Sequence, residues 1–470
     1  MSLREHGLSV ISDESNNHSN AFSELEEEQH QDAAISTNEE GNISHDQHCS
    51  SKQQHQTMRS SLATVQELGF YLGPGFLISV AYMDPGNWAT NISGGAKHST
   101  ALLWVIVLAS VMAMGIQIVA AKLGIATGKD VAQLCRVSLP KYVTYILWLA
   151  AELAMIATDM AEIIGAAIGF QMVCNFPLWA GAILAAISSF ALLGVRSAFT
   201  RGYRIIEFVI MALVGIIAIV FVIELFISKP TAHLIFSGLK PTIPDTEALY
   251  IAIGILGATV MPHSVYLHPD LVQDRRTRLM DQKGDTEQVH RQHLRFESAD
   301  TVLALIGAMF VNAAMLVVAA AALAGTGIDT VEDAYTTVEG VFGSYASILF
   351  GVALIAAGLS SSLVATMAGQ TVMDGFLNWN VNVWIRRSFT LIPSLAVVLV
   401  GLEPTKVLVA SQVALSFELP FVLIPLFYFT CKKDLMGSFV NSKFTSFVMF
   451  IITALIIVLN IWLLISLATG

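Results

Sequence analysis

The sequence predicts an all-α membrane protein of about eleven transmembrane helices, ten of them in two inverted five-helix repeats whose first members, helices 1 and 6, are broken. Three observations lead there. Of 470 residues, 54% are hydrophobic and 13% are charged, whereas a soluble domain carries about 25% charged residues. Apolar stretches long enough to cross roughly 30 Å of hydrocarbon recur along the chain from residue 68 onward. The first and sixth of these stretches are each interrupted by a proline near the middle.

The spans fall at about 68–92, 101–123, 143–172, 177–195, 204–227, 248–272, 301–325, 344–376, 383–401, 405–429 and 446–467. They divide the chain into a first repeat (about 65–230), a second (about 245–430) and an extra helix (446–467), all within a membrane domain at 61–470. Residues 1–60 form a separate tail. Its first 57 residues hold eleven Asp and Glu against Arg4 and Lys52, so they carry most of the chain's net charge of −11. A segment this poor in large apolar residues cannot bury enough surface to fold alone and is expected to be disordered. It also holds six of the twelve histidines (His6, His18, His30, His45, His48, His55), at irregular spacing. No apolar run precedes residue 61, so no signal peptide is expected. Loops after even-numbered spans carry 18 Lys and Arg against 4 after odd-numbered ones. The positive-inside rule then puts the tail in the cytoplasm and the C-terminus outside. Cys49, Cys135, Cys174 and Cys431 have neither disulfide nor metal-ligand spacing and read as free thiols.

The chemistry concentrates at the two interruptions. Span 1 reads Asp84-Pro85-Gly86-Asn87 and span 6 reads Met261-Pro262-His263-Ser264. Proline removes a backbone donor and keeps the preceding residue out of the α region. Backbone freed this way inside a membrane must be buried in protein or line a cavity. Interrupted segments at matching positions in two halves point to a transporter with its site at the breaks. Asp84 supplies a carboxylate, Asn87 an amide, Met261 a thioether, and the unwound turn frees the carbonyl of Ala258. Such a mixed shell suits transition metals, since Mg²⁺ and Ca²⁺ prefer all-oxygen shells. Span 3 carries Glu152, Asp159 and Glu162 within about an 80° arc of one face, a proton path or an ion-pair network. Arg386 and Arg387, at the start of span 9, are their plausible partners. His263 and His268 follow the second break and can carry or gate protons. No nucleotide motif, nucleophile triad or nucleic-acid patch is present, so neither an enzyme nor a nucleic-acid partner is expected, and no obligate protein partner is evident.

At these residues the sequence closely resembles the Nramp family of proton-coupled divalent-metal transporters, in particular its bacterial manganese-transporter branch. The resemblance runs from about residue 65 to the C-terminus. It is carried by Asp84-Pro85-Gly86-Asn87-Trp88-Ala89-Thr90, AKLGIATGK at 121–129, TDMAEIIGAAIGF at 158–170, GATVMPHSVYLHP at 257–269, AAGLSSSLVATMAGQ at 356–370, WIRR at 384–387 and SQVALSFELPF at 411–421. It implies a LeuT-like fold in a bacterial cell membrane. It also implies a transported Mn²⁺ or other divalent metal, Fe²⁺ included, in place of any cofactor. Metal ligation would fall to Asp84, Asn87 and Met261, to the carbonyls of Ala81 and Ala258, and to Gln412 in occluded states. His263, Glu152, Asp159, Glu162 and Arg387 would support proton transfer, and Asp300 matches an acidic position of the bacterial branch. The departures are Ser264, where many members have Asn; Leu359, where eukaryotic members often have Gln; and the tail, which has no counterpart. Two other readings use the same features: a sodium-coupled amino-acid symporter of this fold, against which Asp84 speaks, and a transport-inactive metal sensor, against which the intact breaks speak.

Overall fold

The computed structural model of the chain describes residues 73–198, 202–325, 330–331, 344–379 and 381–469. The acidic tail, with Cys49, and the start of the first predicted span lie outside them. Among the described residues every regular element is helical. Span 1 is two short helices, α1 (Pro74–Ala81) and α2 (Pro85–His98). They are followed by α3 (Leu103–Thr127), the short α4 (Val131–Ser138), α5 (Lys141–Cys174), α6 (Leu178–Ala198), α7 (Gly202–Ser228) and the short α8 (Ala232–Ser237). Span 6 is again two helices, α9 (Thr246–Thr259) and α10 (Pro262–Lys283). The chain closes with α11 (Glu287–Leu323), α12 (Ser344–Leu377), α13 (Val383–Val400), α14 (Pro404–Thr430), α15 (Lys433–Met436) and α16 (Lys443–Thr469). Among the described residues eight segments are long and apolar enough to cross a membrane, with α9 and α10 together forming one; Leu178–Gly194 and Ala212–Ser228 are shorter apolar helices.

The two breaks share one local cause. Pro85 and Pro262 each occupy the first position of the second half-helix, where the missing N–H costs nothing and the fixed φ suits the helix start. The residue before each proline is extended: Asp84 at φ −69°, ψ 166° and Met261 at φ −71°, ψ 120°. Asp84 closes the gap at α2 by accepting a hydrogen bond from the Asn87 backbone N–H, the role of an N-cap.

Two differences from the sequence reading concern the polar ends of helices. The basic stretch after span 6 is largely helical: α10 runs on to Lys283, Gly284 ends it at φ 81°, and Thr286 caps α11. That helix starts at Glu287, well before the predicted 301. Hydropathy misses these turns because they are polar, yet His290, His293, Glu297 and Asp300 recur at helical spacing and are buried. Helix α4 lies in what hydropathy predicts as the loop between the second and third spans; Asp130 opens it with a reciprocal capping box to Gln133. Burial, above all, pushes the Asp130 carboxyl up to about 7.

Helices α5 and α12 pack along each other through most of their lengths, α2 lies on α11, and α9 lies on α14. Trp88, fully buried in the first turn of α2, meets Phe221 of α7 and Phe350 of α12 edge-on at 4.8 and 5.1 Å between ring centroids, a geometry favoured by the ring quadrupoles. Leu149, Phe226, Phe389, Leu399 and Phe444 point outward, as they must where the solvent is lipid. The last helix is tied in by polar groups: Asn460 donates to the Ser416 carbonyl at 2.8 Å and accepts from the Ser416 hydroxyl at 3.0 Å. Such bonds hold helices together where the hydrophobic effect cannot.

Helix α9 approaches α14 so closely at Gly257 that a Cβ there would overlap the Gln412 carbonyl. Overpacking of this kind costs about 1–3 kcal/mol. Gly257→Ala is therefore expected to lower the thermal unfolding temperature of the purified protein by several degrees, measured in detergent; an unchanged melting curve would show that the two helices do not meet here.

Candidate metal site at the paired helix breaks

Asp84, Asn87 and Ala258, three of the residues predicted to ligate metal, come together. Asp84 is fully buried, and its Oδ1 accepts from the Asn87 backbone N–H at 2.8 Å and from the Asn87 side-chain amide at 2.7 Å. The same amide nitrogen donates to the Ala258 carbonyl at 3.0 Å. Two oxygens from opposite breaks thus converge on one point, and a donor fills it. Ligation of a metal by Asn87 would need its amide oxygen to face this point. The amide nitrogen does so because two buried acceptors need a positive partner. The second carboxylate oxygen of Asp84 has no hydrogen-bond partner.

Met261 is fully buried three residues beyond Ala258, at the N-cap of α10. Gln412, fully buried on α14, lies against Gly86, where any side chain would collide with its amide. Its Nε2 donates to Ser411 at 3.2 Å while its Oε1 has no hydrogen-bond partner. The Ala81 carbonyl, at the end of α1, accepts weakly from the Asp84 N–H at 3.3 Å. Among the described residues no group of three or more His, Cys, Asp or Glu side chains is placed to hold a metal ion. A cation at the breaks must therefore draw on carbonyl, amide and thioether atoms beside a single carboxylate.

The predicted charge network lies beside this site. Arg387 is almost fully buried, pairs with Asp159, reaches Glu162 at 3.9 Å and donates to Ser189 and Ser362. Arg386 pairs with Glu152 at 3.2 Å. The stripe of carboxylates on α5 thus faces the paired arginines of α13. His263 on α10 sits 3.5 Å from the Thr158 hydroxyl, next in chain to Asp159.

His268 belongs to a different chain of groups, most of which sequence reasoning missed. Its Nδ1 lies 3.0 Å from Gln117 Oε1 and its Nε2 lies 3.1 Å from Glu297 Oε1. Both ring nitrogens thus face side-chain oxygens of neighbouring helices. Gln117 in turn donates to the Tyr82 hydroxyl at 2.9 Å, inside the first break. Asn312 donates to the Tyr82 carbonyl at 2.7 Å and accepts from Asn91 at 2.9 Å. Asp300 accepts from the backbone N–H groups of Gly73 and Gly75, at 3.1 and 2.9 Å, and so holds the start of α1. The signal available in the sequence was the stripe of polar residues on the early turns of α11. Glu224 and Glu418 are also buried, and neither carboxylate has a hydrogen-bond partner.

The family described as Nramp, natural resistance-associated macrophage protein-like, matches residues 75–466. Among solved structures, the chain is similar to the manganese transporter of Eremococcus coleocola in complex with an aromatic bis-isothiourea substituted compound. The identity is 31%, the match covers 84% of this chain and 86% of that one, and the TM-score is 0.75. Two more distant structures share the fold. MhsT in complex with L-phenylalanine is 15% identical, over 83% and 98% of the two chains, with a TM-score of 0.50. The nucleobase-cation-symport-1 family transporter Mhp1 is 13% identical, over 84% and 92%, also with a TM-score of 0.50.

Removing one partner of a buried ion pair leaves an uncompensated charge and costs about 3–5 kcal/mol. Arg387→Met should therefore destabilise the protein strongly, and adding Asp159→Asn should recover part of the loss. Thermal unfolding of the single and double variants in detergent checks this; equal losses in both would mean that Arg387 and Asp159 do not interact.

Proposed function

The chain belongs to the Nramp family of metal-ion transporters, and from that premise we propose that it imports divalent transition metals together with protons, Mn²⁺ first, with Fe²⁺ and other first-row divalents as further substrates. It works as a transporter and not as an enzyme, with the metal as cargo and no cofactor. Its place is the cell membrane of a bacterium, with the N-terminus in the cytoplasm and the C-terminus outside. The observation that carries the reading is the convergence of Asp84 Oδ1 and the Ala258 carbonyl from the two breaks onto one point.

At that point Asp84, Asn87, Met261 and the carbonyls of Ala81 and Ala258 bind the ion, and Gln412 joins them when the site is closed. When a cation enters, the Asn87 amide turns its oxygen inward, because the acceptors it had served now have a stronger positive partner. Asp84 gives up its proton as the metal binds, since a carboxylate in a dry site is far more stable as an anion beside a dication. The close pairing of Asp159 and Glu162 with Arg387 supports a route for that proton toward the cytoplasm, with Glu152 and Arg386 beyond it and His263 beside it. Alternating access follows from movement of α1 and α10 against the rest, with the Tyr82–Gln117–His268–Glu297 chain joining the moving parts in this state. The rival amino-acid symporter draws on a fold-level likeness alone, and a buried carboxylate at the breaks repels an anionic substrate group.

Uptake of several divalent metals into proteoliposomes, with and without an inward proton gradient, tests the reading. Asp84→Asn keeps a good N-cap for α2 but removes the formal charge at the breaks. It is expected to reduce Mn²⁺ uptake to background, and normal uptake by this variant would end the proposal.

Met261→Ala tests the sulfur separately. A thioether helps soft ions and handicaps hard ones by occupying a coordination position. The variant should lose most Cd²⁺ uptake, keep part of its Mn²⁺ uptake, and become more sensitive to competition by Ca²⁺ and Mg²⁺, because specificity is a difference of two affinities. A uniform fall for every ion would make Met261 a packing residue only.

A further inference from the structure

Helices α2 and α9 run in opposite directions, one away from the breaks and the other toward them, and they meet along a single seam. Four pairs mark it. At the inner end the Asn87 amide donates to the Ala258 carbonyl at 3.0 Å. A Cβ added to Gly254 would stand 3.2 Å from Cγ2 of Thr90, and one added to Gly94 would stand 3.5 Å from Cγ2 of Ile251. At the outer end Lys97 Nζ pairs with Glu247 Oε1 at 2.6 Å. The pairs step by three, four and three residues along α2 and by four, three and four along α9, so each helix uses one face throughout. The ten residues from Asn87 to Lys97 span about 15 Å.

The middle of this seam does little to fix its register. Thr90 turns its hydroxyl back onto the Gly86 and Asn87 carbonyls, at 3.1 Å each, and offers α9 a methyl group. Gly94 and Gly254 let the backbones approach, but each leaves only a shallow hole for a neighbour's side chain. Apolar contact is non-directional, so sliding is opposed chiefly by the polar pairs at the two ends. The inner pair opens when an ion binds, because the Asn87 amide then turns its oxygen inward. The outer pair is untouched by that exchange and holds the register while the ligands rearrange.

We propose that Lys97 and Glu247 are positioning residues of the metal site. Their ion pair sets, from the outer face, the register of α2 on α9, and so the separation between the Asp84–Asn87 turn and the Ala258 carbonyl. The inference rests on the reading of the breaks as a metal site. Neither side chain touches the ion. Field and register make different demands on the two residues. If their charges acted on the ion through space alone, losing the Lys97 cation would tighten binding and losing the Glu247 anion would weaken it. If they act through register, either loss weakens binding, and the second adds nothing to the first.

The experiment measures Mn²⁺ binding by the full-length protein in nanodiscs of neutral lipid, from the loss of the free-ion electron paramagnetic resonance signal. The Asp84→Asn protein supplies the baseline. Wild type is compared with Lys97→Met, Glu247→Gln and the double variant, and a melting curve for each verifies folding. Each single variant is expected to weaken the Asp84-dependent binding roughly two- to fivefold, the scale of an exposed ion pair. The double variant is expected to be no weaker than the weaker single one. A further protein carries Lys97→Cys and Glu247→Cys, with Cys49, Cys174 and Cys431 replaced by Ser and the buried Cys135 kept. It should bind as weakly as the double variant when reduced and regain wild-type affinity when a short bis-methanethiosulfonate bridges the pair. Opposite signs in the two single variants, unchanged binding, additive losses or no gain on bridging would each overturn the proposal. Equal binding by wild type and Asp84→Asn would overturn the metal-site reading and this inference with it, whereas Asp84-dependent binding that ignores the outer pair overturns the inference alone.

Discussion

Everything in this bundle depends on two helices being broken where no water is available to repair them. Each break frees backbone groups that hydrocarbon cannot satisfy. Pro85 and Pro262 remove one donor each, the Asp84 carboxylate accepts the Asn87 N–H, and the Asn87 amide serves the Ala258 carbonyl. The groups that solve the backbone problem are the ones a cation would use. A site of this kind is a consequence of the break, and the rest of the architecture keeps it dry. Helix α14 seals it with Gln412 against Gly86, α5 and α12 form the wall behind it, and Trp88 wedges the start of α2 between Phe221 and Phe350.

A second cost is charge. Asp159, Glu162 and Arg387 are almost wholly removed from solvent, and an ion pair in that position gains little or nothing over a well-packed apolar trio. Stability alone does not account for its presence. The energy spent on it is intelligible if the carboxylates must exchange protons, because a group meant to titrate has to be ionisable in the first place. The same reasoning applies to His268 between Gln117 and Glu297. An apolar side chain would fill that space at lower cost but would link neither α3 nor α11 to α10.

How far the sequence reveals this varies with the range of the interaction. Asp84, Asn87, Ala258 and Met261 were legible because a proline break is a local event and its ligand-type neighbours lie within a few residues. The pairing of the α5 carboxylates with Arg386 and Arg387 was half legible: helical spacing put three acids on one face, and the two arginines at the start of span 9 offered themselves as partners, but nothing local said which acid each would meet. Tyr82, Gln117, Asn91 and Asn312 were not legible. Their partners lie across helix boundaries, and single polar residues in apolar spans leave no periodic trace. Glu297 was lost for another reason: the reading stopped α11 at the hydrocarbon edge, whereas backbone hydrogen bonding carries the helix on into water as far as Glu287.

The grip of Asp300 on Gly73 and Gly75 has a consequence for how such a protein diversifies. The contact is made to backbone N–H groups and reads no side chain of α1. Drift along the outer surface of that half-helix therefore leaves the clasp unchanged, whereas a change at the single position 300 resets how firmly the half-helix is held. The hold on this half-helix is thus vested in one side chain on a neighbouring helix, so its firmness is tunable by substitution at a position remote from the two breaks.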